Sequence, residues 1–415
     1  MTNVQTRGSR LPGRSLVRPS AARPVNGRSA SAPTDFYLFS QLLTDEERQI
    51  RDRVRAFCDQ EVIPVINDYW ERGELPFPLL PKLAELGIAG DTIEGYGCPG
   101  MSRTAAGFLF AELSRGDGSL NAVLGASCLA MYAIALNGSE EQKQRWLPGM
   151  AKLEKFGAFA ATEPDHGSDV INMETRAHRE GDDWILNGSK RWISNASFAD
   201  VIVVWARTNT EQVNAFLVEK GTPGFDAQVI KSKLSLRAAW PTHITLTNVR
   251  VPAANRLVHA QSFSDSMKTL NLGRYRIAWA AIGHAMACYE YALAHVKKRK
   301  QFGKPLASYQ LVQQKLARML SEITSLQALC YRLGQLIDEG QATSAMISLA
   351  KMQTTLRARQ IAADARDLLG GNGILLENHV CRHMADLESG FTAEGTDHMQ
   401  ALTIGLEITG TQAFF

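Results

Sequence analysis

Three things are scarce in this 415-residue chain. Its cysteines are few and scattered (Cys58, Cys98, Cys128, Cys288, Cys330, Cys381), and none forms a CxxC pair. That argues against a disulfide framework and a thiolate zinc site, and fits a reducing compartment. No apolar run reaches the ~20 residues that a bilayer-spanning helix needs, so no membrane segment is expected. Acidic residues are missing from positions 1–34, which instead hold six arginines (Arg7, Arg10, Arg14, Arg18, Arg23, Arg28). With +3 overall and six positive charges in that arm, the rest of the chain is net −3. A generic basic nucleic-acid surface is therefore not expected.

Composition shifts divide the rest of the chain. Residues 1–34 are rich in Arg, Ser, Pro, Gly and Ala and read as a disordered basic arm. A mitochondrial transit peptide has a similar composition, but Pro12, Gly13, Pro19 and Pro24 interrupt the amphipathic helix it needs. The expected location is cytoplasmic, with the mitochondrial matrix as the alternative. Residues 35–157 read as helical. Thr44 followed by Glu47 is a capping-box pattern that opens a helix from Asp45 to about Tyr69, and shorter helical patterns follow at 80–87, 104–115, 119–136 and 139–151. Residues 158–260 read as a β domain. Asn187-Gly188 inside 184–192 signals a hairpin, because both residues tolerate positive φ. Further strands are expected at 201–206, 215–219 and 244–251. Helical periodicity returns over 261–415, with long helices at 263–299, 307–338, 342–369 and 396–410. Pro305 and the glycine cluster at 370–373 break it. The expected fold class is α+β: an N-terminal helical domain, a middle β domain and a C-terminal four-helix bundle.

The stretch FTAEGTDH (391–398) is the leading candidate for chemistry. Glu394 stands alone among small residues. A carboxylate kept from water acquires a raised pKa and becomes a useful general base. Acids near Gly and Thr are also commonly caps or solvated loop residues. His379 and His383 are one helical turn apart, but no acid completes a metal site and no metal is expected.

Five motifs occur in one order: ATEPDHGSD (161–169), KRWISN (190–195), RKQFGKP (299–305), LGGNG (369–373) and EGT (394–396). In order and spacing they resemble the acyl-CoA dehydrogenases over about residues 36–415. GYGCPG (95–100), SEEQ (139–142), LSLR (234–237) and RDLLGG (366–371) are similar to the glutaryl-CoA dehydrogenases and plant short-chain acyl-CoA oxidases. The resemblance implies FAD as cofactor, an acyl-CoA substrate, and electron-transfer flavoprotein or oxygen as acceptor. It also implies a homotetramer. Glu394 is then the base that takes the α-proton while hydride leaves the β carbon for the flavin, and its backbone N–H helps to hold the thioester oxygen. Some relatives carry their glutamate at the position of Gly273, which cannot serve here. The resemblance places Phe159, Ala161, Thr162, Ser168, Trp192, Ser194, Gly370, Gly371, Thr396 and His398 at FAD. It places Arg299, Gln301 and Phe302 at the FAD of a neighbouring subunit. For the substrate it implies Ser168, Asn121, Asn271, Arg274, Ala393 and Gly395.

The chain departs from the glutaryl subgroup in several places. The arginine that holds the distal substrate carboxylate reads Asn121, its partner glutamate reads Ser114, and the neighbouring serine reads Ala122. A buried carboxylate without a counter-charge costs several kcal/mol, which argues against glutaryl-CoA; Arg115 is the candidate substitute. Ala393 replaces a tyrosine, which opens space for a branched or bulky acyl group unless Phe391 or Trp240 fills it. Ala239-Trp240-Pro241 and Leu406 depart as well. The alternative to a short or branched acyl-CoA is therefore an acyl group carried on a carrier protein in a specialised biosynthetic pathway. A non-catalytic scaffold protein of the same fold is the reading from a different class.

Overall fold

The structure is a computed structural model that describes residues 33–208 and 212–413. Except for Pro33 and Thr34, the expected basic arm lies outside the described residues. Thr34 is buried, and its hydroxyl donates to Glu290 Oε1 at 3.3 Å.

The N-terminal helices are α1 (Asp45–Phe57), α2 (Ile63–Arg72), α3 (Leu80–Ala84), α4 (Arg103–Gly116), α5 (Gly118–Asn137) and α6 (Glu140–Ala151). The capping box opens α1 as expected: Glu47 N donates to Thr44 Oγ1 at 3.2 Å, and Thr44 N donates to Glu47 Oε2 at 2.9 Å. A π-helical turn, Cys58–Val62, joins α1 to α2. Pro64 follows it with no N–H to donate into the preceding turn, and the widened turn accommodates that loss. One expectation is corrected. By length and composition α5 is long and apolar enough to cross a membrane, but it is mostly buried inside the protein. It packs against α4 and α7 as a core helix.

The middle region carries β1 (Gly157–Ala160), β2 (Arg176–Glu180), β3 (Asp183–Ser194), β4 (Val201–Thr208), β5 (Val213–Glu219), β6 (Phe225–Val229) and β7 (Pro241–Pro252). They form one sheet in the order β1-β4-β2-β3-β7-β6, with β5 on the other edge of β4. β1 and β2 follow one another along one edge of β4, both parallel to it. The expected hairpin at Asn187-Gly188 is not a turn. β3 runs straight through it, and the register against β7 slips between Leu186 and Gly188. The turn lies earlier, at Gly181 (φ 62°), between β2 and β3. Gly188 answers to packing instead: a Cβ there would lie 2.6 Å from Thr175 Oγ1 and 2.7 Å from its Cα.

The C-terminal part consists of α7 (Phe263–Lys298), α8 (Gln310–Asp338), α9 (Ser344–Leu368), α10 (Val380–Thr392) and α11 (Asp397–Thr409). The small hairpin of β8 (Lys300–Gln301) and β9 (Lys304–Pro305) links α7 to α8. Helix α10 was not anticipated. It opens at His379 in a left-handed conformation (φ 60°) with no side-chain cap, so the usual start signal is absent. Its Asp386 joins the three parts of the molecule. The carboxylate accepts Trp70 Nε1 at 2.9 Å and Leu236 N at 2.6 Å, and the Asp386 carbonyl accepts Ser235 Oγ at 3.0 Å. The fully buried pair Arg382–Asp117 (2.6 Å) ties α10 to the start of α5.

Candidate active site

The turn between α10 and α11 presents Glu394 toward α7. Glu394 has φ 56° and Gly395 φ 93°, a reversal that swings the carboxyl away from the helix axis. Thr396 then caps α11, its hydroxyl accepting Met399 N at 3.4 Å. Gly273 on α7 makes room for the acid: a Cβ there would stand 2.9 Å from Glu394 Cδ and 3.0 and 3.1 Å from its two oxygens. The position that carries glutamate in some relatives thus faces Glu394 directly.

Three donors clamp this turn through its carbonyls. Arg274 Nε donates to Glu394 O at 2.9 Å, and Gln400 Nε2 reaches Glu394 O at 3.1 Å and Gly395 O at 2.9 Å. Lys351 Nζ donates to Phe391 O at 2.9 Å and to Gly395 O at 2.8 Å. Asn271 orients Arg274 by accepting its NH1 at 3.0 Å. The sequence reading missed Lys351 and Gln400; a buried lysine on a helix is a signal visible only once burial is known.

The carboxyl itself is left free. Glu394 Oε2 is buried and has no hydrogen-bond partner among the described residues. Burial raises the Glu394 pKa, while Arg274, Arg276 and Lys351 pull it back. Burial also lowers the Lys351 pKa to about 8. No described backbone carbonyl accepts the Glu394 N–H.

Asn121 lies beneath the site, buried between α5 and α7. Its Nδ2 donates to Ser114 Oγ at 2.6 Å, and its Oδ1 accepts Arg276 NH2 at 2.7 Å. Arg115 is not a substitute cation for a substrate. It binds Glu112 (3.0 Å), Glu290 (3.4 Å) and Asp59 in an ion network shared with Arg55. Ala393 is exposed. The two rings that stood to replace its missing tyrosine have partners elsewhere. Trp240 donates to Gly73 O at 3.2 Å and meets Phe77 edge-on, and Phe391 lies under the Arg359 guanidinium at 4.3 Å.

A second group of residues gathers on the sheet. Phe159, Ala161 and Thr162 continue from β1, and Trp192 and Ser194 end β3. Arg191 N donates to Thr162 O at 2.8 Å. The buried Lys190 holds the β1 end from below, donating to Ala161 O at 3.0 Å and Glu163 Oε1 at 2.9 Å. A register slip between Arg191 and Ile193 gives Trp192 a positive φ (64°) and turns its indole outward, 55% exposed. An exposed indole on a rigid bulge, beside an accessible strand end, suits the face of a flat aromatic cofactor. Ser168 is exposed on the loop after β1, and His398 is exposed on α11. Gly370 and Gly371 are exposed after α9 with no atom near a would-be Cβ, whereas Gly373 packs against Arg366 O. Arg299, Gln301 and Phe302 are exposed at the β8–β9 hairpin, Phe302 at 96%. Arg299 stands 26 residues along the chain from Gly273, roughly 39 Å along a helix at 1.5 Å per residue.

Three family models match in order: acyl-CoA dehydrogenase N-terminal domain over residues 44–154, middle domain over 158–249 and C-terminal domain over 263–408. The short-chain-specific acyl-CoA dehydrogenase of Clostridium acetobutylicum is 34% identical over 373 residues, covering 88% of this chain and 98% of the relative. A glutaryl-CoA dehydrogenase structure from Mycobacterium smegmatis superposes with TM-score 0.89 at 45% identity, covering 92% of this chain and 99% of the other. A second glutaryl-CoA dehydrogenase structure from Mycobacterium smegmatis, in complex with FADH2, gives TM-score 0.90 at 40% identity, with coverage of 92% and 100%.

Proposed function

The chain belongs to the acyl-CoA dehydrogenase family, and on that premise we propose that it oxidises the α,β bond of a short or branched acyl-CoA, with Glu394 as the base. It is a flavin-dependent oxidoreductase with FAD as cofactor. FAD, when bound, supplies the acceptor for the hydride that leaves the β carbon. Phe159, Ala161, Thr162, Trp192 and Ser194 would hold the ring system, with Thr396, Gly370 and Gly371 completing the cradle.

The observation that carries this reading is the Glu394 carboxyl: buried, unpartnered at Oε2, raised in pKa, and mounted on a turn clamped by Arg274, Lys351 and Gln400. A base of this kind is pre-placed, and substrate binding strips it of its last water. The Glu394 N–H is available to the thioester oxygen, where negative charge gathers as the α-proton leaves. The exposed Ala393 leaves lateral room for a branch on the acyl chain. The exposed β8–β9 hairpin is read as reaching a neighbouring subunit's FAD, in an assembly of at least two and, by family habit, four chains. Electron-transfer flavoprotein is the proposed acceptor.

The test is anaerobic bleaching of the holoenzyme flavin by a panel of straight and branched C4–C6 acyl-CoAs. Rapid bleaching, abolished by Glu394→Gln with flavin retained, is expected. Retained flavin with no bleaching by any CoA ester overturns the acyl-CoA assignment in favour of a carrier-protein thioester. Hydrogen peroxide formed at the turnover rate in air overturns the assignment of acceptor.

A further inference from the structure

The peptide between Ala161 and Thr162 is held from one side only. Lys190 is fully buried on β3. Its Nζ donates to Ala161 O at 3.0 Å and to Glu163 Oε1 at 2.9 Å, and lies 3.7 Å from Met173 Sδ. An ammonium group has three protons, and these three acceptors use them all. Burial lowers the Lys190 pKa to about 8 while the Glu163 carboxylate opposes that shift, so the ammonium form prevails at pH 7. Glu163 is fixed in turn, since its carboxylate accepts Glu174 N at 2.5 Å and Thr175 N at 2.9 Å.

No peptide bond among the described residues is cis. In a trans peptide the C=O and N–H point in opposite directions. With the Ala161 carbonyl drawn inward to Lys190, the Thr162 N–H therefore points outward. The next peptide obeys the same rule: Thr162 O accepts Arg191 N at 2.8 Å, and Glu163 N turns the other way to donate to His166 O at 3.2 Å. Ala161 O, Thr162 O and Glu163 N thus all have partners, whereas the Thr162 N–H has none among the described residues. Burial agrees with this orientation. Ala161 and Glu163 are buried, and Thr162 between them is half-buried.

Burying an ammonium costs desolvation. What it adds is a charge-assisted bond, about twice as strong as a neutral one, so the carbonyl is firmly oriented. Resting on the flavin-dependent reading above, we propose that Lys190 is a positioning residue for the cofactor: it locks the Ala161–Thr162 peptide so that the Thr162 N–H is a fixed donor to the acceptor edge of the isoalloxazine ring. Lys190 touches no cofactor atom and acts through the peptide. The carbonyl oxygens and acceptor nitrogens of the ring lie on one edge, and negative charge gathers there when hydride arrives. A donor that cannot rotate away holds the charged ring more tightly than the neutral one. The same strand sets the exposed indole of Trp192, so β3 supplies both a face for the ring and the anchor for its edge.

The test uses no acyl ester, so it stands apart from the substrate assignment. Lys190→Met alone would strand the buried Glu163 charge, so it is combined with Glu163→Gln. The reference is Glu163→Gln by itself, which keeps Lys190 on Ala161 O. FAD affinity is read from flavin fluorescence, midpoint potential from dye equilibration, and the flavin carbonyl stretches from infrared difference spectra. Relative to the reference, the double variant should bind oxidised FAD about two- to tenfold more weakly, the worth of one hydrogen bond. Reduced FAD should lose roughly threefold more than that, which lowers the midpoint potential by about 14 mV. A carbonyl stretch should rise as its hydrogen bond is lost. A lysine with a merely structural role would lower Tm and leave the potential and the carbonyl stretches unmoved, and that result overturns the proposal. If the double variant does not fold or does not retain flavin, amide hydrogen exchange in the wild-type protein decides. The Thr162 N–H should exchange freely without FAD and be protected with it, and equal exchange in the two states overturns the proposal. Wild-type protein that binds no FAD would instead count against the flavin reading itself.

Discussion

Gly273→Ala isolates the placement of the base from the stability of the fold. The new Cβ would lie 2.9 Å from Glu394 Cδ and 3.0 and 3.1 Å from its oxygens. Ordinary carbon contacts begin at about 3.5 Å, so the carboxyl must retreat by roughly half an ångström or more. Glu394 is held by its backbone, not its side chain, so the retreat falls on the side-chain torsions alone. The helix itself gains, since alanine is about 0.8–1.0 kcal/mol better than glycine in a helix interior. A misplacement of ~1 Å costs on the order of a hundredfold in rate, so a shift of about half that should lower kcat/KM by roughly ten- to a hundredfold. The assay pairs stopped-flow flavin reduction with thermal unfolding of the same preparation. We expect slow reduction with an unchanged or higher Tm and full flavin content. Unaltered reduction kinetics in a well-folded Gly273→Ala protein would refute the placement of the working carboxylate against α7.

Three further outcomes follow from the same geometry. Because burial raises the Glu394 pKa, the folded protein keeps this proton at pH values where the unfolded chain, with an ordinary value of about 4.3, has lost it. The glutamate thus costs stability as pH rises through its folded pKa, and Glu394→Gln should raise Tm at pH 8 but not at pH 4.5; an equal shift at both would contradict this. Lys351→Met strips the Phe391 carbonyl of its side-chain donor and leaves Gln400 alone on Gly395, so unfolding free energy should fall by about 1–3 kcal/mol, with slower flavin reduction; a denaturant titration showing no loss would remove Lys351 from the clamp. Trp192→Ala should weaken FAD binding in a flavin-fluorescence titration while changing the stability of the flavin-free protein by no more than about 0.5 kcal/mol, since the indole is 55% exposed; undiminished affinity would place the flavin elsewhere.

Much of this was legible in one dimension because it rests on local rules. The capping box at Thr44, the break at Pro305, the alternation of helical and β-branched patterns and the order of the five motifs all concern residues within a turn or two of each other. The reading failed where a local rule lost to packing. Asn187-Gly188 satisfies every local requirement of a hairpin, yet the glycine answers to Thr175 beneath it, and the strand continues. Helix α10 carries no side-chain start signal and is held in place by Arg382 and Asp386 reaching to α5 and to the loop at Leu236.

The same division runs through the site. The sequence by itself determined the family, the three-part order of the chain and the acid that stands alone in its loop, because each is a matter of residue type at fixed spacing. Only the tertiary structure decided what surrounds that acid. Gly273 and Glu394 are far apart in the chain, as are Arg276 and Asn121, separated by 155 positions, and no periodicity connects them. Whether a buried charge is neutralised or shifted depends on which groups the fold brings within a few ångströms. The interaction energy in a low-dielectric interior falls with distance through space, not along the chain.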